Sequence, residues 1–423
     1  MRQPPKMSKA YRYPVVALTA LMATGVTLAW WARLDVSPLF ESAMIRRGET
    51  WRLVTSILPH AGILHLAFNL YWLWVFGTLI EEMYGHLKTA ALIVLFAFSS
   101  GAWDYALAVG GIGLSGVGYG LFGLLWVLSR RDERFRNAID SRTIQLFIAW
   151  FFLCIVTTVV GFMPVGNVAH GVGAVVGILV GLAITRPQNR TLITAGVATV
   201  LVLGFWCATF WRPKVNLSGK AGYEEGRWGY EALAANRNQE AVRWLRDAVV
   251  YQPKMSAYWD YLGFAYVKLG ENSNGVSAYR RAAELGAADA QYYMGELYGS
   301  GARGVAEDQA QALYWYRKAA DQNYPDALNN LAWAYATSSD AAVRNPVAAL
   351  DCARRALDLG KNHPVPYRLD TLAEALYVNG RYEDAVNTEL QAIALLPEKK
   401  GYYEMQLKKY KEALSQKNPR SSE

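Results

Sequence analysis

Ser115 sits in the stretch Gly110-Gly111-Ile112-Gly113-Leu114-Ser115-Gly116-Val117-Gly118-Tyr119-Gly120, between two apolar runs. Glycine at such a place lets backbones approach closely, or lets the chain leave helical geometry. Alone in an apolar helix, a serine most often packs against a neighbouring helix. Beside a base it becomes a nucleophile. The chain has five histidines, and His60, His65 and His170 stand with Asn69 at the ends of other apolar runs. Imidazole titrates near neutral pH, so His170 can take the serine proton and pass it to a leaving amine. His65 and Asn69 are four residues apart, share one helix face, and can aim their donors at one developing oxyanion. Each such donor is worth roughly 3–4 kcal/mol. The backbone N–H of Ser115 is a further donor. Among acidic residues only Asp104 lies near this level, so the residues point to peptide hydrolysis by a Ser–His dyad in place of a triad.

These groups must be brought to one depth by the elements that carry them. Of the 423 residues, 53% are hydrophobic, and mean hydropathy is +0.06. That average hides a division near Trp211, with long apolar runs before it and alanine, tyrosine and charge at helical periodicity after it. Seven apolar segments, 14–32, 63–80, 87–109, 115–129, 143–163, 168–185 and 191–211, approach the ~20 residues that cross a hydrocarbon core. The fourth and sixth are short and glycine-rich, which predicts little lipid contact for both. Trp30, Trp31, Trp206 and Trp211 sit at segment ends, as interfacial aromatics do.

Arginine and lysine set the orientation. Arg2, Lys6, Lys9 and Arg12 precede the first segment, Arg130, Arg131, Arg134, Arg136 and Arg142 fill the loop after the fourth, and Arg186 and Arg190 follow the sixth. An N-terminus in the cytoplasm puts all three clusters inside. The 33–62 loop is then outside, and its length and mixed character predict a structured piece at the interface. The second, fourth and sixth segments all run inward, so His60, His65, Asn69, Ser115 and His170 share one outer level. Polar groups at membrane depth are costly unless they face a cavity or one another. The net charge of +8 comes from arginines beside apolar spans, which argues against nucleic acid as a partner. Cys154, Cys207 and Cys352 are scattered, giving neither a disulfide framework nor a metal spacing, and no cofactor is expected.

These residues carry a family resemblance. His60-Ala-Gly-Ile-Leu-His65-Leu-Ala-Phe-Asn69 resembles the rhomboid pattern HxxxxHxxxN, and Gly113-Leu114-Ser115-Gly116 with Tyr119 resembles its GxSGxxY. Ala169-His170 with Gly173 and Gly177 resembles AHxxGxxxG, Trp51-Arg52 the WR pair of the first loop, and Glu81 with Gly85 its ExxxG. The motifs occur in order over about residues 14–185. The resemblance implies an intramembrane serine protease that cuts transmembrane protein substrates near the outer face of the lipid bilayer. It implies Ser115 as nucleophile, His170 as base, His65 and Asn69 as oxyanion donors, and Tyr119 packed on His170. It gives Gly173 and Gly177 a packing role against the fourth helix and His60 a structural one. A seventh span departs from the simplest bacterial form, and Gly118 and Gly120 are expected to loosen the start of the fourth helix.

Beyond the linker, residues 222–255 and 256–289 are two 34-residue units in register. Trp259, Leu262, Gly263, Tyr266, Tyr279 and Ala282 fit the tetratricopeptide pattern. Residues 290–325 resemble the Sel1-like variant, and two further units lead through Pro397 to a Lys/Glu-rich stretch, 398–417, read as a solvating cap helix. The expected fold is all-α. It comprises a cytoplasmic N-terminus (1–13), a six-helix rhomboid core (14–185), a seventh transmembrane helix and linker (186–214), and an α-solenoid of TPR/Sel1-like repeats (215–423). The repeats are expected to bind a protein or peptide outside the membrane, since an odd number of crossings places them there. The basic start favours a bacterial inner membrane. A catalytically silent rhomboid-like scaffold or membrane-protein chaperone is the alternative, and a transporter the third reading. Retention of both Ser115 and His170 speaks against the first, and the absence of an inverted repeat against the second.

Overall fold

The computed structural model describes residues 3–162, 165–360, 365–395 and 401–417. The chain divides into two compact units, Met1–Glu224 and Glu225–Glu423. Among the described residues every regular element is helical.

In the first unit, α1 (Pro14–Trp31) starts with proline and has no acidic residue in its first turn. Its unpaired N–H groups are met from elsewhere: Glu81 accepts from Val15 at 2.9 Å and from Val16 at 3.0 Å. That carboxylate takes the place of an N-cap and complements the helix dipole. The loop after α1 folds into short 3₁₀ turns at Ser37–Leu39 and Ala43–Arg47 and one α-turn at Arg52–Thr55. Arg52, only 7% exposed, holds it together. Its guanidinium donates to Glu49 at 2.6 Å and to the carbonyls of Ser37 at 2.6 Å and Phe40 at 3.1 Å. Trp51 beside it points outward and is exposed.

Six helices follow. They are α2 (Ile63–Tyr84, passing through a π turn at Leu73–Gly77), α3 (His86–Leu107), α4 (Ser115–Arg131), α5 (Ser141–Val159), α6 (Asn167–Thr185) and α7 (Arg190–Trp206). A second π turn, Cys207–Trp211, and a last turn, Arg212–Val215, extend α7. All but α4 are long and apolar enough to cross a membrane; α4, with 17 residues, falls just short. It is also the most enclosed, with Val117, Leu121, Leu124, Leu125 and Leu128 fully buried. The expectation of little lipid contact therefore fits α4 and fails for α6. Only the stripe His170, Gly173, Val176, Gly177 and Gly181 of α6 is buried, while Val175 and Ile184 are exposed. A helix at the side of a bundle needs to bury one face only.

The α4–α6 seam is backbone on backbone. A Cβ placed on Gly173 would stand 2.2 Å from the Gly116 carbonyl oxygen, and one on Gly177 2.0 Å from that of Gly120. No larger residue fits there without parting the helices.

The second unit stacks helix pairs. They are α8 (Tyr223–Ala234) with α9 (Asn238–Tyr251), α10 (Ser256–Lys268) with α11 (Asn272–Glu284), and α12 (Ala288–Ser300) with α13 (Gln309–Ala320). Then come α14 (Pro325–Thr337) with α15 (Pro346–Leu359), α16 (Pro366–Val378) with α17 (Tyr382–Ala394), and α18 (Gly401–Lys417). Alanines such as Ala241, Ala282, Ala319, Ala353 and Ala385 are fully buried between pairs. α18 is more than a solvating cap. Tyr410 is fully buried and donates to Glu374 at 2.8 Å, while Lys409 pairs with the same carboxylate at 2.7 Å. Pro397 lies outside the described residues.

Candidate active site

Ser115 is the first residue of α4, His170 lies in the first turn of α6, and His65 and Asn69 lie in the first two turns of α2. The backbone contact between Gly116 and Gly173 brings the starts of α4 and α6 together. Ser115 is half-exposed, whereas His170 and Asn69 are buried. The His170 ring stacks on Tyr119, centroid to centroid at 4.6 Å with 23° between planes. Tyr119 is itself fixed by its hydroxyl, which donates to the Phe147 carbonyl at 3.1 Å. Among the described residues no hydrogen bond joins Ser115 to His170.

Two buried polar atoms at this place have no partner among the described residues: Asn69 Nδ2 and His170 Nδ1. Native interiors rarely leave such atoms unpaired, so each asks for an explanation. The His170 nitrogen meets no carboxylate, and ring stacking is what orients this imidazole.

His65 reaches the residue two before Ser115. A Cβ on Gly113 would lie 2.8 Å from His65 Cε1 and 2.9 Å from its Nε2, and Gly113 has a φ of +101° that favours glycine in any case. The unusual geometry before α4 therefore sits at Gly110 and Gly113, and not at Gly118 and Gly120, which are ordinary helical residues. A Cβ on Gly120 would meet the Phe96 ring at 2.4 Å, so that glycine serves close packing, and Gly118 faces open space. Chain direction changes before the helix begins, which is where positive φ is needed.

His60 is fully buried behind the site. Its Nδ1 lies 3.0 Å from the Leu58 carbonyl and its Nε2 accepts from the Leu114 N–H at 3.3 Å, which assigns the proton to Nδ1. Burial, and then the neighbouring His65, hold its pKa down at about 4. A neutral ring that braces Leu114 is a structural part of the Ser115 loop. Glu81 and the Trp51-Arg52 pair lie in the α1 cap and the first loop, and none is among the groups gathered at Ser115.

Two residues gathered here drew no role from the sequence. Glu41 accepts from the Gly111 N–H at 2.9 Å, and Asp104 from the Ala169 N–H at 3.3 Å. Their partners are backbone amides far along the chain, and residue type carries no signal of that.

Residues 47–187 match the Rhomboid domain family, and residues 288–324 and 325–361 each match the Sel1 repeat. The match to the Rhomboid domain lies wholly within the first unit. The second match extends the Sel1 type to the fourth repeat. The rhomboid protease GlpG of Serratia proteamaculans is 34% identical over 140 residues, covering 33% of this chain and 49% of that protein. The rhomboid protease GluP of Bacillus subtilis is 28% identical over 267 residues, covering 60% of this chain and 49% of its own. GlpG of Yersinia pestis is 30% identical over 182 residues, covering 43% and 61%. The chain thus spans about half the length of the first two relatives. Among solved structures, a TPR protein of Thermus thermophilus aligns with a TM-score of 0.28 at 20% identity, covering 46% of this chain and 99% of that one. An SLR-fold antigen of uropathogenic Escherichia coli aligns with a TM-score of 0.31 at 15% identity, covering 83% and 76%. The similarity to rhomboid proteins and the six helices among the described residues that are long and apolar enough to cross a membrane make this an integral membrane protein.

Proposed function

We propose that the protein is an intramembrane serine endopeptidase of rhomboid type, cleaving transmembrane segments of other membrane proteins with a Ser115–His170 dyad. The observation that carries this is the glycine seam, which holds the starts of α4 and α6 in backbone contact beside a histidine stacked on Tyr119. His170 takes the proton from Ser115 Oγ as the oxygen attacks the scissile carbonyl carbon. Negative charge gathers on the carbonyl oxygen, where the Ser115 N–H, His65 and the unpartnered Asn69 Nδ2 are the donors. His170 then gives its proton to the departing amine, and water releases the acyl group from Ser115 by the same steps reversed. The unpartnered Nδ1 of His170 supports a dyad with no third member.

The arginine clusters support a cytoplasmic N-terminus and a site near the outer face of a bacterial inner membrane. In this reading residues 14–185 are the protease core, 186–214 the seventh span and linker, and 215–423 an extracytoplasmic repeat domain that binds protein or peptide ligands. Cleavage of a transmembrane substrate by purified wild type, and not by Ser115→Ala or His170→Ala, is the expected result. Equal cleavage by all three would end the dyad assignment. Proteolysis of the repeats in intact spheroplasts tests their side of the membrane, and a protected array would contradict it.

A further inference from the structure

Glu41 and Asp104 hold the two catalytic segments from behind. Glu41, in the loop after α1, accepts the Gly111 N–H through Oε2 at 2.9 Å and the Ser56 hydroxyl through Oε1 at 3.1 Å. The Ser56 carbonyl accepts the Gly113 N–H at 3.0 Å. The first loop thus grips residues 111 and 113, just before Ser115. Asp104, in the last turn of α3 and 2% exposed, accepts through Oδ1 the N–H of Ala169, the residue before His170.

Glycines make the room for both carboxyls. A Cβ on Gly101 would lie 2.8 Å from Glu41 Oε1, and one on Gly110 2.8 Å from its Oε2. A Cβ on Gly111 would lie 2.6 Å from Asp104 Oδ2. Gly111 therefore touches both acids, donating to one and making room for the other. Burial, and then the charge of Asp104, push the Glu41 carboxyl well above the usual range.

The turn that carries Asp104 is closed by the end of α7. Arg212 Nε donates to the Tyr105 carbonyl at 2.8 Å, and its guanidinium lies 4.0 Å from the centre of the Tyr105 ring. Asn216 Nδ2 donates to Ala106 at 3.1 Å and to Ala108 at 2.5 Å, and the Leu217 N–H donates to Leu107 at 2.8 Å. The last carbonyls of a helix lack partners within it, and here the chain beyond the seventh span supplies them.

We propose that Glu41 and Asp104 are positioning residues that fix the Ser115 loop against the start of α6, with the end of α7 bracing the turn that holds Asp104. This rests on the reading of Ser115 and His170 as a proteolytic pair. Those two side chains are not bonded to each other, so their alignment comes from the backbone segments that carry them. Misplacement by about 1 Å costs roughly 100-fold in rate.

The test uses the purified full chain and a transmembrane substrate. Glu41→Ala and Asp104→Ala should lower kcat by about tenfold or more and leave KM within about twofold. Glu41→Gln and Asp104→Asn keep a carbonyl acceptor and should recover kcat to within about threefold of wild type. Folded alanine variants with wild-type kcat, a loss confined to KM, or amide variants no better than alanine would each overturn the proposal. Where an alanine variant does not fold, Glu41→Leu or Asp104→Leu fills the space without an acceptor, and a wild-type kcat there overturns it equally. If wild type itself fails to cleave, the proteolytic reading falls. Hydrogen exchange over 109–116 and 167–170 then still decides the tethering: faster exchange in the alanine variants upholds it, and unchanged exchange ends it.

Discussion

The α4–α6 seam and the repeat unit use glycine at helix contacts in opposite ways. In the membrane unit Gly173 and Gly177 receive the backbone carbonyls of Gly116 and Gly120, whereas in the repeat unit Gly263 and Gly295 receive the rings of Tyr279 and Tyr316. Lipid offers no hydrophobic force between helices, so small residues that let backbones touch supply the packing. Water does offer that force, and buried tyrosine area exploits it. A ring can turn aside when crowded, but a helix backbone cannot. The first kind of seam therefore fixes whatever is attached to it, and in this protein Ser115 and His170 are attached to it.

One substitution made in both seams should separate them most sharply. Gly173→Ala puts a Cβ 2.2 Å from a backbone oxygen, and cleavage should fall about 100-fold. Gly295→Ala puts one 2.5 Å from the Tyr316 ring; it should cost the repeats about 1–3 kcal/mol in thermal unfolding and leave cleavage unchanged. Similar effects at both places would break the comparison. Asn69→Ala removes the unpartnered donor and should lower kcat by roughly 100-fold or more with KM little changed, read from initial rates.

A smaller effect concerns pH. Glu389 is fully buried, and burial, then Asp370, push its pKa up to about 8. Glu374 also faces it, with Lys409 paired to that residue. A folded-state pKa above the unfolded value means that the folded form holds the proton more tightly. This contribution is present below about pH 4 and is lost as pH rises towards 8. Thermal unfolding of the repeats should fall in temperature from pH 5 to pH 8, and Glu389→Gln should flatten that slope. Smallest of all, Tyr119→Phe keeps the stacked ring and loses only the bond to Phe147, about 1 kcal/mol of stability with kcat within about threefold.

Much of this was legible in the residues. Apolar runs and a 34-residue period each report an element whose burial pattern is local, so the apolar helices and the repeats could be read directly. The polar level was legible because histidine is scarce in this chain and three of five converge. Glu41 and Asp104 were not, because they bond to amides 70 and 65 positions away, and any residue supplies an amide. Gly118 and Gly120 misled for a related reason. Glycine content marks where backbone freedom or closeness is allowed, and only the path of the chain past His65 decides that Gly113 uses the freedom.

The central claim is that Ser115 is a nucleophile activated by His170. Labelling the purified full chain with a serine-reactive fluorophosphonate, followed by mass mapping of the modified peptide, tests it most directly. The expected result is modification at Ser115 in wild type, lost in Ser115→Ala and slowed at least tenfold in His170→Ala. Labelling of Ser115 at the same rate without His170, or none in folded wild type, would contradict it.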